Sequence, residues 1–564
     1  MTGRQFTRVA GWERAEAGHI RCDMSNRPSE LRAAARHLGR RRLLRLAGAA
    51  AALAFTTDLP AAGAAAAAEL DARRIDRDPF TLGVASGDPM PDTALLWTRL
   101  APSPYEPDGG LPAERVEVRW EVALDELFYA VVRSGTATAH PEYAHSVRVE
   151  VTGLDAGRVY FYRFRAGGWI SPAGRTRTAP AADASYLSGV RFAAVACAAY
   201  FDGYYTAYRH LAAEDLDMVV HLGDYIYEYG VDSAGGHRGY TDRVLPAHFN
   251  KETVTLEDYR LRYALYKSDA DLQAAHAAHP FVVTWDDHET ENNYAGGVAE
   301  NGVGAAEFLV RRAAAYRAYW ENLPLRAPQQ PSGADMRLYR RLRFGRLAQF
   351  DVLDTRQYRS DQAYGDGWRR PGPESQDPAR TMTGAEQERW LLDGWKDSPA
   401  VWNVVPQQVV FAQRRSSAAA DHTVSMDAWD GYPAARGRLL AGAQAAGVEN
   451  LMVLSGDAHA AYGFDLKADF DDPASRTVGT EIATTSLTSG RDGVAKLASG
   501  RRLSAANPHL KFSDGRRGYT VVELGQRTAD IAFKAVSAVT KPGGTLSTAA
   551  SFTTGTDTQG LTAV

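Results

Sequence analysis

Between about Asp78 and Pro180 apolar and polar residues alternate over short runs, TALLWTRL, VEVRWEVALD, HSVRVEVTGL and VYFYRFRAGG, with Gly, Pro and Asp at the joints. A period of two puts every second side chain on one face, so 78–180 is expected to be a β-sandwich of about one hundred residues. From about Val190 the pattern changes. The apolar runs RFAAVAC, DMVVHLGD, PFVVTWDD, WNVVPQQVVF and NLMVLSGDAH alternate with long helical segments, which predicts a layered α/β domain over 188–540. These strands end in Cys, Asp or His, so their polar ends gather along one edge. The stretch MRLYRRLRFGRLAQFDVLDTRQYR predicts a strand, a turn at Gly345 and a second strand, with its arginines on a solvated face. From about Lys541 the chain becomes rich in Gly, Ser and Thr, and 541–564 is expected to be a tail.

Composition narrows the class. Of 564 residues 45% are apolar, 23% charged and 10% aromatic, the balance of an ordinary globular protein. The 64 basic residues against 68 acidic ones exclude a strongly basic nucleic-acid binder, and two cysteines, Cys22 and Cys197, exclude a disulfide scaffold. Arg40, Arg41 and Arg42 precede the apolar run LLRLAGAAAALAF and the small-residue run AAGAAAAAEL. That order marks 1–68 as an export signal, too short and alanine-rich to span a membrane. Its paired arginines suggest the twin-arginine machinery, which carries proteins already folded. Translation could also start at Met24. Cleavage near Ala68 leaves 53 basic and 63 acidic residues, a net charge of −10, with Cys197 as a lone thiol in an oxidising compartment. A secreted monomer is expected, and its charge offers no help with a polyanion.

Three strand ends carry candidate chemistry. Gly223-Asp224-Tyr225-Ile226-Tyr227 follows MVVHL, and a carboxylate at a strand end can bridge two cations or simply cap a turn. Thr284-Trp285-Asp286-Asp287-His288-Glu289 follows FVV and joins hard oxygen ligands to a group able to donate a proton near neutral pH. Asn292 and Asn293 beyond it could supply amide oxygens or cap a turn. In Ser455-Gly456-Asp457-Ala458-His459, an extended backbone would point Asp457 and His459 to the same side, within reach of neighbouring metals. Each string alone is ambiguous. Three in order within one α/β region point to a dinuclear metal site.

The ordered set GDYIY, WDDHE and GDAH resembles the metallophosphoesterase superfamily, and further strings resemble its alkaline phosphatase D family. Those strings are GVASGDP, ALLWTR, the strand-ending Cys197 and DAWDGYP from Asp427 to Pro433. The likeness runs from about Phe80 to about Leu524 and implies a layered β-sandwich flanked by helices. The small all-β domain before it resembles fibronectin type III or immunoglobulin-like domains through Leu154 to Phe164, with Tyr160 and Tyr162, although any antiparallel hairpin fits nearly as well. The family resemblance also implies Fe(III) beside one or two Ca ions. Cys197, Asp224, Tyr227 and His459 match the iron ligands, and strongly donating anions suit a ferric ion. Calcium, which prefers oxygen, would take Asp224 as bridge with Asp287, Asp457 and either an Asn of the 292 to 293 pair, Asn292 first, or Asp430.

The implied activity is that of a secreted alkaline phosphatase. Two cations neutralise the phosphate ester and acidify a water that attacks phosphorus in line. His288 would protonate the leaving alkoxide or hold the phosphate. Arg356 would bind phosphate oxygens, or pair with Asp354 or another surface acid. Two alternatives stay open: a phospholipase D-type phosphodiesterase on the same site, and an extracellular binding protein with a degenerate site.

Overall fold

The computed structural model describes residues 69–231, 238, 245–557 and 559–564, so the export segment 1–68, with Arg40 to Arg42 and Cys22, lies outside the described residues. The apolar runs form the centre of two large sheets. Val190–Val195, Met218–His221 and Pro280–Val283 pair in parallel within a ten-stranded sheet. Ala348–Val352, Trp402–Pro406, Leu451–Ser455 and Thr477–Ala483 pair in parallel within a seven-stranded one. These strands are apolar on both faces because both faces are covered. Phe192, Met218, Val220 and Val282 of one sheet meet Phe350, Val404, Met452, Leu454 and Ile482 of the other in a single core. The Phe192 and Phe350 rings touch edge to face at 5.3 Å.

Helices close the outer faces. Thr206–Ala212, Leu256–Lys267, Ala270–Ala278 and Ala305–Asn322 cover the ten-stranded sheet, whereas Gly384–Lys396 and Pro433–Ala445 cover the seven-stranded one. Their starts are written locally: Thr255 and Asp258 exchange hydrogen bonds in a capping box, and Asp269 caps Ala270–Ala278. The layered α/β expectation therefore matches the architecture.

Three expectations need correction. The N-terminal region is not a sandwich complete in itself. One layer is a six-stranded sheet centred on Arg115–Ala123 and Val159–Ala166, but the facing strands Val84–Gly87, Thr93–Arg99 and Ser146–Thr152 belong to the ten-stranded sheet. Val84–Gly87 pairs with Pro280–Val283, Phe281 lying opposite Gly87, so hydrogen bonding runs across the expected boundary at 180–188. Alternation predicts strands but not which sheet they join. The 541–564 segment is not a tail: Leu546–Gly555 and Thr562–Ala563 complete the edge of the ten-stranded sheet, with Phe552 in the core. Its Ser and Thr residues suit a half-exposed edge strand, which composition alone reads as linker. The hairpin at Gly345 forms as expected, yet two of its arginines are paired rather than solvated. Arg340 clamps Asp88 through two bonds of 2.7 Å, and Arg341 pairs with Asp351.

Candidate metal centre

The parallel strands end on one edge, and the loops leaving them turn sharply. Cys197, Asp224, Asp457 and His459 all have positive φ, between 50° and 59°. Such backbone costs about 1–3 kcal/mol per residue and persists where function requires it. Gly223 shows how tight the turn is: with φ 107°, a Cβ there would come within 2.5 Å of Asp286. Asp457 and His459 therefore do not share one side of an extended strand. The bent backbone sends them to different groups.

Donor atoms of Cys197, Asp224 and His459 lie within 4.8 Å of one another, as do those of Asp224, Asp287 and His288, and those of Asp286, Asp287 and Asp457. Tyr227 completes the first set. Its hydroxyl donates to Asp224 Oδ2 at 2.8 Å and lies 3.1 Å from His459 Nε2 and 2.7 Å from Ser489 Oγ. Asp224 is the residue shared by the first two sets.

Electrostatics favour cations in this space. Burial pushes the Cys197 thiol well up, with Asp224, Asp457 and Asp286 adding repulsion, and burial with Asp224 and Cys197 does the same to the Tyr227 phenol. Burial raises Asp224 too, Asp287 and Glu289 reinforcing it against the pull of His288. Asp457 is raised to about 6 by burial and by Asp427, and burial lowers His459 to about 3, leaving it a neutral donor. Asp224 Oδ1, Asp286 Oδ2 and Asp287 Oδ1 are buried without a hydrogen-bond partner. Orphaned carboxylate oxygens converging on one space, beside a thiol, a phenol and an imidazole, form a donor set that fits metal ions.

Other residues hold these donors in place. Glu289 accepts from the backbone N–H groups of Asp224, Tyr225 and Asp286 at 3.1, 2.6 and 2.8 Å, tying two strand-end loops together. His288 presents Nδ1 to Glu228 Oε2 at 2.7 Å, and its ring lies 4.1 Å from that of Tyr227. Burial disfavours the His288 cation, but Glu228, Asp287 and Asp224 outweigh it and push its pKa well up. Glu228 follows directly on GDYIY and is invisible as a partner in sequence, because the sixty positions that separate it from His288 vanish only in the fold.

The remaining candidates lie differently. Asp430 is engaged by Arg436 at 2.7 Å and by the Arg414 N–H at 2.8 Å, so its oxygens are spent away from the cluster. Asp427, one turn earlier in DAWDGYP, is the member of that passage that reaches toward the site, and it holds Arg356 and Arg359. Asn292 donates its side-chain amide to Glu300 at 2.6 Å, and Asn293 donates its backbone N–H to Asp287 at 2.7 Å. Arg356 is neither surface-paired nor open to substrate. Fully buried, it bonds Asp286 at 2.5 Å and Asp427 at 2.7 and 2.8 Å, and lies 3.6 Å from Asp287 and 3.9 Å from Asp457. From Arg356, Asp354 accepts only the backbone N–H, and it accepts further from the backbone and side-chain N–H groups of Gln357.

Similarity to known proteins agrees with this geometry. Residues 192–533 match the family described as PhoD-like phosphatase, and residues 63–180 match its N-terminal domain. The chain is 48% identical over 483 residues to alkaline phosphatase D of Bacillus subtilis (strain 168), covering 86% of this chain and 82% of that protein. A solved structure titled "Structure of PhoD" superposes with a TM-score of 0.84 at 47% identity, covering 87% of this chain and 93% of the other. The chain belongs to the PhoD-like phosphatase family.

Proposed function

We propose that this phosphoester hydrolase works outside the cell at a mixed-metal centre, with Fe(III) held by Cys197, Asp224, Tyr227 and His459, and Ca held by Asp224, Asp287 and Asp457. The observation that carries the reading is the convergence of Tyr227 on both Asp224 and His459, with Cys197 in the same group. Three anionic donors beside one imidazole suit a trivalent ion, whereas Asp287 and Asp457 offer only oxygen. When bound, such cations neutralise phosphoryl oxygens and make a water nucleophilic near neutral pH.

The chain's own residues supply the rest. Glu228 fixes the His288 ring by accepting at Nδ1, which leaves Nε2 to donate a proton to the leaving oxygen. Glu228 is the carboxylate in direct contact with His288, and it favours the protonated ring. Tyr227 limits the tilt of the ring by lying against it. Export rests on Arg40 to Arg42 and the apolar run behind them, and no described helix is long and apolar enough to cross a membrane. Replacing Arg41 and Arg42 by Lys should abolish secretion.

The test is elemental analysis of the exported protein alongside a panel of phosphate mono- and diesters. Iron and calcium with ester hydrolysis support the reading. Hydrolysis by metal-free protein contradicts it.

A further inference from the structure

The carboxylates of this centre present a substrate phosphate with negative charge, and two of the arginines near them are spent. Arg356 and Arg359 are fully buried against Asp286 and Asp427. Arg414 is different. Among the described residues no carboxylate pairs with its guanidinium, which lies instead over two aromatic rings, 5.1 Å from the centroid of Trp368 and 5.4 Å from that of Tyr462. It is half-buried, and Trp368 is 43% exposed, so this pair faces solvent.

Three segments fix the position. Tyr462 lies on Ala461–Lys467, which leaves directly from His459. Trp368 pairs with Ser425 in a two-stranded sheet, two residues before Asp427. The Arg414 backbone is anchored through its N–H on Asp430, itself locked by Arg436. Arg414 thus stands between the segment that delivers Asp457 and His459 and the one that delivers Asp427, close enough to act on the charges of Asp457 and Glu481. Glu481 is already satisfied by the N–H groups of Phe411 and Ala412 and the hydroxyl of Ser455. Aromatic faces orient a guanidinium without neutralising it and leave its N–H groups for an anion.

We propose that Arg414, steadied by Trp368 and Tyr462, binds an anionic oxygen of the substrate at the mouth of the centre. This rests on the phosphoester reading of that centre. The anionic oxygen belongs either to the reacting phosphoryl group or to a second acid on the leaving group.

Metal-loaded parent, Arg414→Gln and Arg414→Lys are compared on 4-nitrophenyl phosphate, whose leaving group carries no acid, and on 2-phosphoglycerate, whose leaving group carries a carboxylate, with inorganic phosphate as inhibitor. The expected result for Arg414→Gln is a roughly tenfold rise in KM with kcat within about threefold, partly restored in Arg414→Lys, and a flattened salt dependence of KM. A rise for both esters, with weaker phosphate inhibition, assigns the contact to the reacting group. A rise for 2-phosphoglycerate alone, with phosphate inhibition unchanged, assigns it to the leaving group. Unchanged KM for both esters and unchanged phosphate inhibition would overturn the proposal and leave Arg414 an aromatic-held strut. Equal turnover by the parent and Asp224→Asn would instead overturn the reading of the centre.

Discussion

On either side of Asp224 the site handles charge in opposite ways. Cys197, Tyr227 and His459 gather with no Lys or Arg paired to their donor atoms among the described residues; Arg262 bonds the Tyr227 carbonyl and Arg517 the His459 carbonyl, each at 2.6 Å. Asp286, Asp287 and Asp457 gather around Arg356, which supplies a permanent positive charge inside their half. A thiol and a phenol with no ion-pair partner call for a strongly charged ion to deprotonate them, whereas carboxylates already partly neutralised by arginine suit a divalent ion. The difference between the halves therefore predicts two different cations rather than two copies of one.

The largest effect should come from the residue common to both halves. Asp224→Asn should lower kcat about 10³-fold, equivalent to ~4 kcal/mol of transition-state stabilisation, and empty both metal positions in elemental analysis. If either metal stays at full occupancy, Asp224 is not the bridge. His288→Ala should cost about 10² to 10⁴-fold in kcat while both metals remain, because neither proposed ligand set includes His288. Glu228→Gln should cost about tenfold to a hundredfold and move the alkaline limb of the pH profile downward, since the His288 cation loses its nearest counter-charge. An unmoved limb would place the proton donor elsewhere.

The strand-end strings were legible because metal chemistry needs particular residue types, and those types stand immediately after apolar runs. GDYIY, WDDHE and GDAH did assemble along one edge, and Cys197 joined them. What was not legible was orientation. Asp427 and Asp430 differ by three positions in one irregular loop, and no periodicity tells which faces the centre. Arg356 looked like a surface group because its partners Asp286 and Asp427 lie about seventy positions away on either side. The sandwich strands 84–87, 93–99 and 146–152 alternate as any half-buried strand does, and nothing local says that the first of them pairs with Pro280–Val283 and so joins all three to the ten-stranded sheet.

A further effect, on stability rather than turnover, concerns the scaffold behind the first half. Lys267 is buried, with Nζ 3.4 Å from the Tyr225 hydroxyl. Burial, with Arg99 adding repulsion, lowers its pKa to about 7, while the Trp97 ring 4.1 Å away favours the charged form. The unfolded chain keeps this proton up to about pH 10.4, so between there and about 7 the unfolded state binds more protons and stability rises with pH, by at most about 1.4 kcal/mol per pH unit. Lys267→Met should remove that slope. Denaturant unfolding at pH 7 and pH 9.5 checks it, and an identical pH dependence in parent and variant would show that Lys267 stays charged.

The most direct test of two unlike cation sites is elemental analysis of Cys197→Ser and Asp287→Asn, purified side by side with the parent. The account predicts that Cys197→Ser loses iron and keeps calcium, and that Asp287→Asn loses calcium and keeps iron. Loss of the same metal from both variants, or of neither from either, would contradict it.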